Sequence, residues 1–311
     1  MKTTGIHHIS AIVGNPQENV DFYAGILGMR LVKKTVNFDD PGTYHLYFGD
    51  EKGTPGTIMT FFPWPTAFRG RIGDGQAGVT SYAVPEGALP FWKERLAQFG
   101  LPFLEEERFG ESYIRLDDPH GLRIELVERA AGKRSGWTFG GVSPEVAIKG
   151  FGGVTLYSGN PRQTADVLTQ VMGLEPIAHE GDYSRFMSSA DIGNVIDLKT
   201  VAGRRGSMGP GTVHHVAWRA ADQQEQLQWR EHVLQHGLRA TDVKDRHYFD
   251  AIYFPEPGGI LFEIATDPPG FTIDETAGTL GERLMLPPQY EELRDELEGR
   301  LPVIHVHPLE K

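Results

Sequence analysis

The stretch GIHHISAIV, residues 5–13, decides the fold because the chain repeats its pattern three more times. Similar runs are GVTSYAV at residues 78–84, GVTLYS at 153–158 and TVHHVAWRA at 212–220. Apolar residues that alternate with others predict β-strands, and each run is opened or preceded by a glycine. Recurrence at this spacing predicts four copies of one structural unit, an interpretation that takes precedence over any single motif.

An amphipathic stretch follows each of these strands and predicts a helix. The four predicted helices cover residues 15–27, 86–99, 160–172 and 222–236. Each is followed by a glycine at its end, as helix C-caps favour. Three short strands come after each helix, so that every unit has the order βαβββ.

The last strand of each unit has a register of its own. A glycine stands four residues before an acidic residue in units two, three and four: Gly121 and Glu125, Gly193 and Asp197, Gly259 and Glu263. In the first unit Gly56 precedes Thr60 at the same spacing. The units are predicted at residues 5–65, 77–129, 150–200 and 211–267. The domain division is then an N-terminal pair over 1–135, a C-terminal pair over 150–270 and a tail over 271–311 with a short helix.

Composition narrows the classes of function. With 42 acidic and 30 basic residues in 311, the formal charge of −12 disfavours nucleic acid and anionic membrane surfaces as partners. Absence of cysteine removes disulfides, thiolate metal sites and a cysteine nucleophile. Twelve histidines remain, four of them in the pairs His7-His8 and His214-His215. Because residues 1–10 show no apolar signal core and no span is long enough for a membrane, we expect a cytoplasmic protein.

The repeated βαβββ order resembles the vicinal oxygen chelate superfamily, which includes glyoxalases and extradiol dioxygenases. The resemblance implies an α+β fold of four modules forming two open barrels that cup a metal. In that superfamily the ligands come from the first and last strands of the units. We assign the first-strand positions to His8, Ser81, Leu156 and His215, and the last-strand positions to Thr60, Glu125, Asp197 and Glu263.

Units one and four together supply two histidines and one carboxylate, with Thr60 in the fourth corner. This donor set is the facial triad typical of non-haem Fe(II) oxygenases, and Mn(II) suits the same ligands. Strand alternation allows only one histidine of each pair to face the cup, and the repeat does not say which. The resemblance to hydroquinone-type dioxygenases implies that the second of each pair is the ligand. The metal ligands are then His8, His215 and Glu263.

The closer resemblance is to this hydroquinone-type ring-cleaving branch. It is carried by YHLYFGDEKGTPGTIMTFFP at residues 44–63, VHHVAW at 213–218 and PGGILFEIATDPPGFTIDE at 257–275. It implies that Arg246 and Tyr253 bind and polarise substrate, and that His7 and His214 lie behind the ligands. Ser10 matches a position where the branch has threonine. The implied reaction is the opening of a hydroquinone or catechol-like ring with O2.

Other interpretations stay open. A glyoxalase-type isomerase or lyase of the same fold would work with Ni, Co or Zn and take up no oxygen, but its second carboxylate ligand would have to replace Thr60. A binding module without enzymatic activity is a third class. The aromatic segment at residues 60–68 fits either core or the wall of a substrate pocket. We expect a small aromatic substrate and O2 as partners, and exposed barrel edges favour a homodimer. The eight histidines outside the two pairs, including His45, are expected to be ordinary.

Overall fold

The structure, a computed structural model, describes residues 1–309 as two eight-stranded sheets. Strands of units one and two are β1 Ile6–Val13, β2 Arg30–Asn37, β3 Asp40–Gly49, β4 Ile58–Pro63, β5 Gln76–Val84, β6 Leu104–Arg108, β7 Glu111–Asp117 and β8 Arg123–Glu128. Strands of units three and four are β9 Gly150–Tyr157, β10 Glu175–Glu180, β11 Tyr183–Met187, β12 Val195–Lys199, β13 Thr212–Ala220, β14 Lys244–Asp245, β15 Phe249–Pro255 and β16 Leu261–Pro269. The repeat of four βαβββ units is therefore confirmed.

Each sheet is built across the two halves of the chain. The first sheet has the order β14-β15-β16-β13-β1-β4-β3-β2, which joins unit four to unit one. The second has the order β10-β11-β12-β9-β5-β8-β7-β6, which joins unit three to unit two. The division into sequential halves, 1–135 and 150–270, stays a prediction about organisation along the chain.

The helices lie close to their predicted positions. Their bounds are α1 Pro16–Val20, continued in π-helical geometry over Asp21–Ile26; α2 Leu89–Gln98; α3 Pro161–Asp166, continued in π-helical geometry over Val167–Val171; α4 Gln223–Gln235; and α5 Arg294–Arg300 after a 3-10 turn at Pro288–Leu293. Asn160 caps α3, because its side chain accepts from the backbone N–H of Gln163. None of the described helices is long and apolar enough to cross a membrane.

The tail beyond the fourth unit is fastened to the first sheet by a buried lysine. Lys33 on β2 is fully buried, and its Nζ lies 2.6 Å from Asp274 and 2.5 Å from Glu275. Asp274 also accepts a hydrogen bond from the hydroxyl of Tyr248 at 2.9 Å. Because Tyr248 stands two residues after Arg246, the same cluster holds the turn that carries this candidate site residue.

We expect Lys33→Ala to lower the free energy of unfolding by about 3 kcal/mol, because it leaves the buried Glu275 and the partly buried Asp274 without their cation. Denaturant titration measures the change. Lys2→Ala, which removes an exposed ion pair with Glu175, is the matched control and should leave stability essentially unchanged. Equal stability of the two variants would contradict a fastening role for Lys33.

Candidate metal centre

Three neighbouring strands at the middle of the first sheet bring the predicted ligands together. His8 lies on β1, His215 on β13 and Glu263 on β16, and these strands are adjacent in the order β16-β13-β1. In the ladder Ser10 stands opposite His215, and Ala217 stands opposite both His8 and Glu263. The two histidines and the glutamate therefore lie on the same face, within one or two residues of each other across the ladder.

The ligand-type atoms of the three side chains converge. His8 Nε2 lies 3.3 Å from His215 Nε2, and Glu263 Oε2 lies 2.8 Å from His215 Nε2 and 3.4 Å from His8 Nε2. All three residues are buried, Glu263 completely. Among residues 1–309 this is the one group of three such side chains whose ligand atoms lie within 4.8 Å of one another.

The donor set fits a divalent metal. Ligand atoms on neighbouring corners of an ion bound at about 2.1 Å are roughly 3 Å apart, close to the separations seen here. Neither oxygen of Glu263 has a well-directed hydrogen bond from any of the described residues. Burial disfavours ionisation, but the His8 and His215 rings outweigh it and hold the pKa of the Glu263 carboxyl well below its ordinary value. Positive charge at the two nitrogens is thus what the Glu263 carboxylate needs, and a bound cation between the three side chains supplies it.

The first histidine of each pair contacts the second through Nδ1. His7 Nδ1 lies 2.9 Å from His8 Nδ1, and His214 Nδ1 lies 2.7 Å from His215 Nδ1. A histidine that binds metal through Nε2 carries its proton on Nδ1, and in both pairs the neighbouring ring supplies the acceptor. The two partners differ in position, since His214 lines the cavity in front of the triad and His7 lines a small separate cavity behind it.

Arg246 and Tyr253 lie together beside the triad. Tyr253 stands directly opposite Glu263 in the β15–β16 ladder, and Arg246 Nε donates to its hydroxyl at 3.2 Å. Arg246 Nη2 also donates to Asp39 at 3.1 Å, which makes Asp39 its ion partner. Burial and the nearby Glu263 raise the pKa of Tyr253, which keeps the phenol protonated.

A cavity of about 330 Å³ opens in front of the triad. Its polar lining includes His8, Ser10, His45, His214, His215, Arg246, Tyr253 and Glu263, and its aromatic lining includes Phe38, Tyr47, Phe62, Trp64 and Phe249. The aromatic segment at residues 60–68 therefore divides: Phe62 and Trp64 form wall, Phe61 is core, and Phe68 is 96% exposed. The volume is near the lower end of the range for small-molecule sites, roughly 300–1,000 Å³.

Sequence reasoning missed several residues of the cavity, and two of them, His45 and Tyr47, are hydrogen-bonded to each other. His45 was expected to be ordinary, but it lies in the cavity with both ring nitrogens hydrogen-bonded. Tyr47, two positions along β3, contacts it. The available signal was the segment 44–63, which carried the family resemblance and contains both residues.

The second sheet has the same ladder but no metal-type site, and two of its assigned positions were wrong. Ser81 pairs with Glu125 as Ser10 pairs with Thr60, so the counterpart of His8 in unit two is Val79 rather than Ser81. Asp197 pairs with Thr155, so the counterpart in unit three is Gly153 rather than Leu156, which faces the other way. The sequence of a strand alone does not show which of its residues face the cup. That assignment requires the hydrogen-bonded pairing of the strand with its neighbour.

Arginines neutralise the carboxylates of the second sheet. Arg108 lies 3.0 Å from Glu125 and 2.8 Å from Asp197, and Arg185 lies 2.7 Å from Asp197. Ser81 also donates to Glu125 at 2.6 Å. Guanidinium groups thus stand where the first sheet leaves its carboxylate free, so Glu125 and Asp197 are ion-pair residues in this fold.

A family model matches most of the chain. The model described as Glyoxalase/Bleomycin resistance protein/Dioxygenase superfamily matches residues 5–126 and 150–264. These two ranges end just inside the unit boundaries expected from the repeat. The match confirms the α+β fold class, with each eight-stranded sheet curled as a half-barrel.

Proteins similar over nearly the whole chain carry dioxygenase names. The Bacillus subtilis (strain 168) protein "Putative ring-cleaving dioxygenase MhqO" is 64% identical over 302 residues, covering 97% of each chain. The Sphingobium indicum protein "Chlorohydroquinone/hydroquinone 1,2-dioxygenase" is 36% identical over 308 residues, covering 95% of each. A crystal structure of a "putative dioxygenase" from Bacillus subtilis subsp. subtilis str. 168 has a TM-score of 0.98 at 62% identity, covering 99% of each chain.

We expect the protein to bind about one divalent metal ion per chain, because only one of the two sheets leaves its carboxylate unpaired. Glu263→Gln should weaken metal binding at least about a hundredfold, since it removes the charged ligand. Elemental analysis after equilibrium dialysis measures both. Glu125→Gln, at the same ladder position in the second sheet, is the matched control and should keep its metal; its loss would contradict the assignment.

The metal-free protein should lose stability in mild acid partly through His45. Burial lowers the pKa of His45 well below 6.5, so the unfolded chain binds a proton that the native state excludes once the pH falls below 6.5. Stability then falls by about 1.4 kcal/mol per pH unit from this group. Denaturant titrations from neutral pH downward should show a shallower loss for His45→Gln than for the wild type, and identical slopes would contradict the argument.

Proposed function

The chain belongs to the glyoxalase/bleomycin resistance protein/dioxygenase superfamily, and we propose that it is a non-haem Fe(II) extradiol-type dioxygenase that opens a hydroquinone or catechol-like ring. Mn(II) is the alternative metal, because the same ligands suit both ions. The names of two relatives describe a ring-cleaving dioxygenase in Bacillus subtilis and a dioxygenase of chlorohydroquinone and hydroquinone in Sphingobium indicum.

The observation that carries the proposal is the three-ligand triad open to an aromatic-walled cavity. His8, His215 and Glu263 supply three donors, and the fourth corner is Thr60, whose hydroxyl is engaged with Ser10 and His45. Three protein ligands leave coordination positions for substrate and O2, as in the facial triads of non-haem oxygenases. Apolar walls favour a flat ring, and the cavity volume suits a single one.

The metal, when bound, supplies the Lewis acidity that lowers the pKa of a substrate hydroxyl and the redox capacity to react with O2. Arg246 supplies a fixed positive charge at the cavity wall. Burial acts to lower the pKa of Arg246, but the contacts with Tyr253 and Asp39 outweigh burial, and the pKa is raised. The guanidinium therefore stabilises the anionic oxygen of an ionised substrate at every pH of interest.

Two further groups hold protons at the cavity. Because Arg246 donates to the Tyr253 oxygen, the phenolic proton of Tyr253 points to its other neighbours, the Glu263 carboxylate and a substrate bound in the cavity. Burial and the neighbouring His215 lower the pKa of His214 to about 4, so it is neutral near pH 7. With Nδ1 facing His215, its remaining nitrogen Nε2 carries the proton toward the cavity. The aromatic walls exclude water from these donors, which strengthens them.

The proposed reaction balances without an external reductant. The electron-rich ring supplies the electrons, O2 is the oxidant, and the bond between the hydroxyl-bearing carbon and a neighbouring ring carbon breaks. Both oxygen atoms enter the product: one completes a carboxylic acid at the hydroxyl-bearing carbon, and the other becomes the carbonyl oxygen at the neighbouring ring carbon. The proton of the substrate hydroxyl leaves through the polar groups at the cavity wall.

An isomerase of the glyoxalase type is not favoured by the site. Such an enzyme needs a second carboxylate at the metal to act as ligand and base, and no carboxylate other than Glu263 joins the triad among residues 1–309. Thr60 at the corresponding corner has no acid–base capacity in the accessible pH range. The proposal therefore stays with oxygen chemistry.

Protein loaded anaerobically with Fe(II) should consume O2 with at least one member of a panel of hydroquinones and catechols, in a ratio of about one O2 per ring opened. An oxygen electrode and the ultraviolet spectrum of the product measure the two quantities. His215→Ala should abolish uptake because the triad loses a ligand, whereas His179→Ala, an exposed histidine of β10, should not. Turnover with Ni or Zn and no O2 uptake would contradict the proposal and favour the isomerase.

A further inference from the structure

A chain of four hydrogen-bonded side chains crosses β3, β4 and β1 beside the triad and has no part in the roles given above. The Tyr47 hydroxyl lies 2.9 Å from His45 Nδ1, and His45 Nε2 lies 2.8 Å from Thr60 Oγ1. Thr60 Oγ1 in turn lies 2.8 Å from Ser10 Oγ. The ladder makes this chain possible, because Tyr47 stands opposite Thr60 and Thr60 opposite Ser10. All four residues are buried.

Tyr47 sets the donor-to-acceptor direction of the hydrogen bonds that link these four side chains. Among residues 1–309 its hydroxyl has one hydrogen-bond partner, His45 Nδ1. Burial raises the pKa of Tyr47 and lowers that of His45, so the first is a phenol and the second a neutral imidazole. The phenolic proton therefore goes to His45 Nδ1, since the opposite direction leaves the Tyr47 O–H without an acceptor among the described residues.

The direction then passes along the chain to the cavity. Because Nδ1 accepts, His45 carries its proton on Nε2 and donates to Thr60 Oγ1. Thr60 in turn donates to Ser10 Oγ, the second partner that its hydroxyl has. Ser10 is left with a proton and no acceptor among the described residues, and it lines the cavity beside His8.

We propose that Tyr47 and His45 are positioning residues that make Ser10 a hydrogen-bond donor to a phenolic or phenolate oxygen bound in the cavity. The inference rests on the proposed function, because it takes the cavity to be the site of an oxygen-bearing aromatic ring. Tyr47 and His45 act only through Thr60 and Ser10, and no proton moves along the chain during the reaction.

The opposite direction would work against an ionised substrate. If His45 carried its proton on Nδ1, Nε2 would accept from Thr60, Thr60 would accept from Ser10, and Ser10 would turn a lone pair toward the cavity. A lone pair facing a phenolate is repulsive, whereas an O–H donated to it is a charge-assisted hydrogen bond. Tyr47 thus selects the favourable state from a distance of three hydrogen bonds.

The test is a double-mutant cycle with Ser10→Ala and Tyr47→Phe, read as binding of 4-nitrocatechol to the Fe(II)-loaded protein under anaerobic conditions. The absorption of this probe reports both its binding and its ionisation. Each single variant should weaken binding by about tenfold, the effect of losing a hydrogen bond to a charged acceptor. Because Tyr47 acts through Ser10, the double variant should also lose about tenfold rather than about a hundredfold.

Three further variants distinguish an effect of the hydrogen-bond direction from a general effect of altered packing. Tyr82→Phe removes a buried hydroxyl without a partner in the second sheet and should bind the probe as the wild type does. His45→Gln keeps a donor at the position of Nε2 and should bind nearly normally, whereas His45→Phe should match Tyr47→Phe. Circular dichroism checks that each variant is folded.

Each result of the binding experiments either supports or overturns the role proposed for Tyr47. Full binding by Tyr47→Phe, multiplied losses in the double variant, or failure of the wild type to bind the probe would each overturn it. Oxygen uptake measured on the same preparations judges the proposed function separately. A wild type that binds the probe but consumes no O2 with any hydroquinone or catechol would contradict the proposed dioxygenase activity. The double-mutant binding cycle would still decide the role of Tyr47.

Discussion

The antiparallel pairing of β1 with β13 is the constraint on which the site depends. These strands belong to the first and last units of the chain, and their ladder brings His8 to within 3.3 Å of a residue 207 positions away. Glu263 follows because β16 pairs with β13, and Thr60 with its partner His45 follows because β4 pairs with β1. A register slip of one residue in β1 would turn His8 away from the cup and separate it from His215.

The two sheets have the same strand arrangement but differ in what lies next to their buried carboxylates. In the second sheet arginine side chains pair with Glu125 and Asp197, which is how buried carboxylates are ordinarily stabilised. In the first sheet Glu263 is left without a donor and faces two imidazole nitrogens. Unsatisfied groups of this kind persist in a folded core where function requires them.

The fold and the strands that carry the three converging side chains could be predicted from sequence because both depend on local patterns. Period-two alternation places the strands, the recurring glycine–acid spacing places their ends, and doubled histidines at residues 7–8 and 214–215 mark two corresponding strands. The choice within each pair needed the family resemblance. His45 escaped because a lone strand histidine carries no signal until its neighbours across β3 and β4 are known. The positions assigned as Ser81 and Leu156 were wrong for the same reason.

Incorporation of isotopically labelled dioxygen tests the central claim most directly. Fe(II)-loaded protein would be given a hydroquinone or catechol that it consumes under labelled O2, and the product would be weighed by mass spectrometry. A triad with open coordination positions predicts that both labelled atoms appear in a ring-opened product. A product with the mass of the substrate, or one whose oxygen comes only from water, would contradict the account.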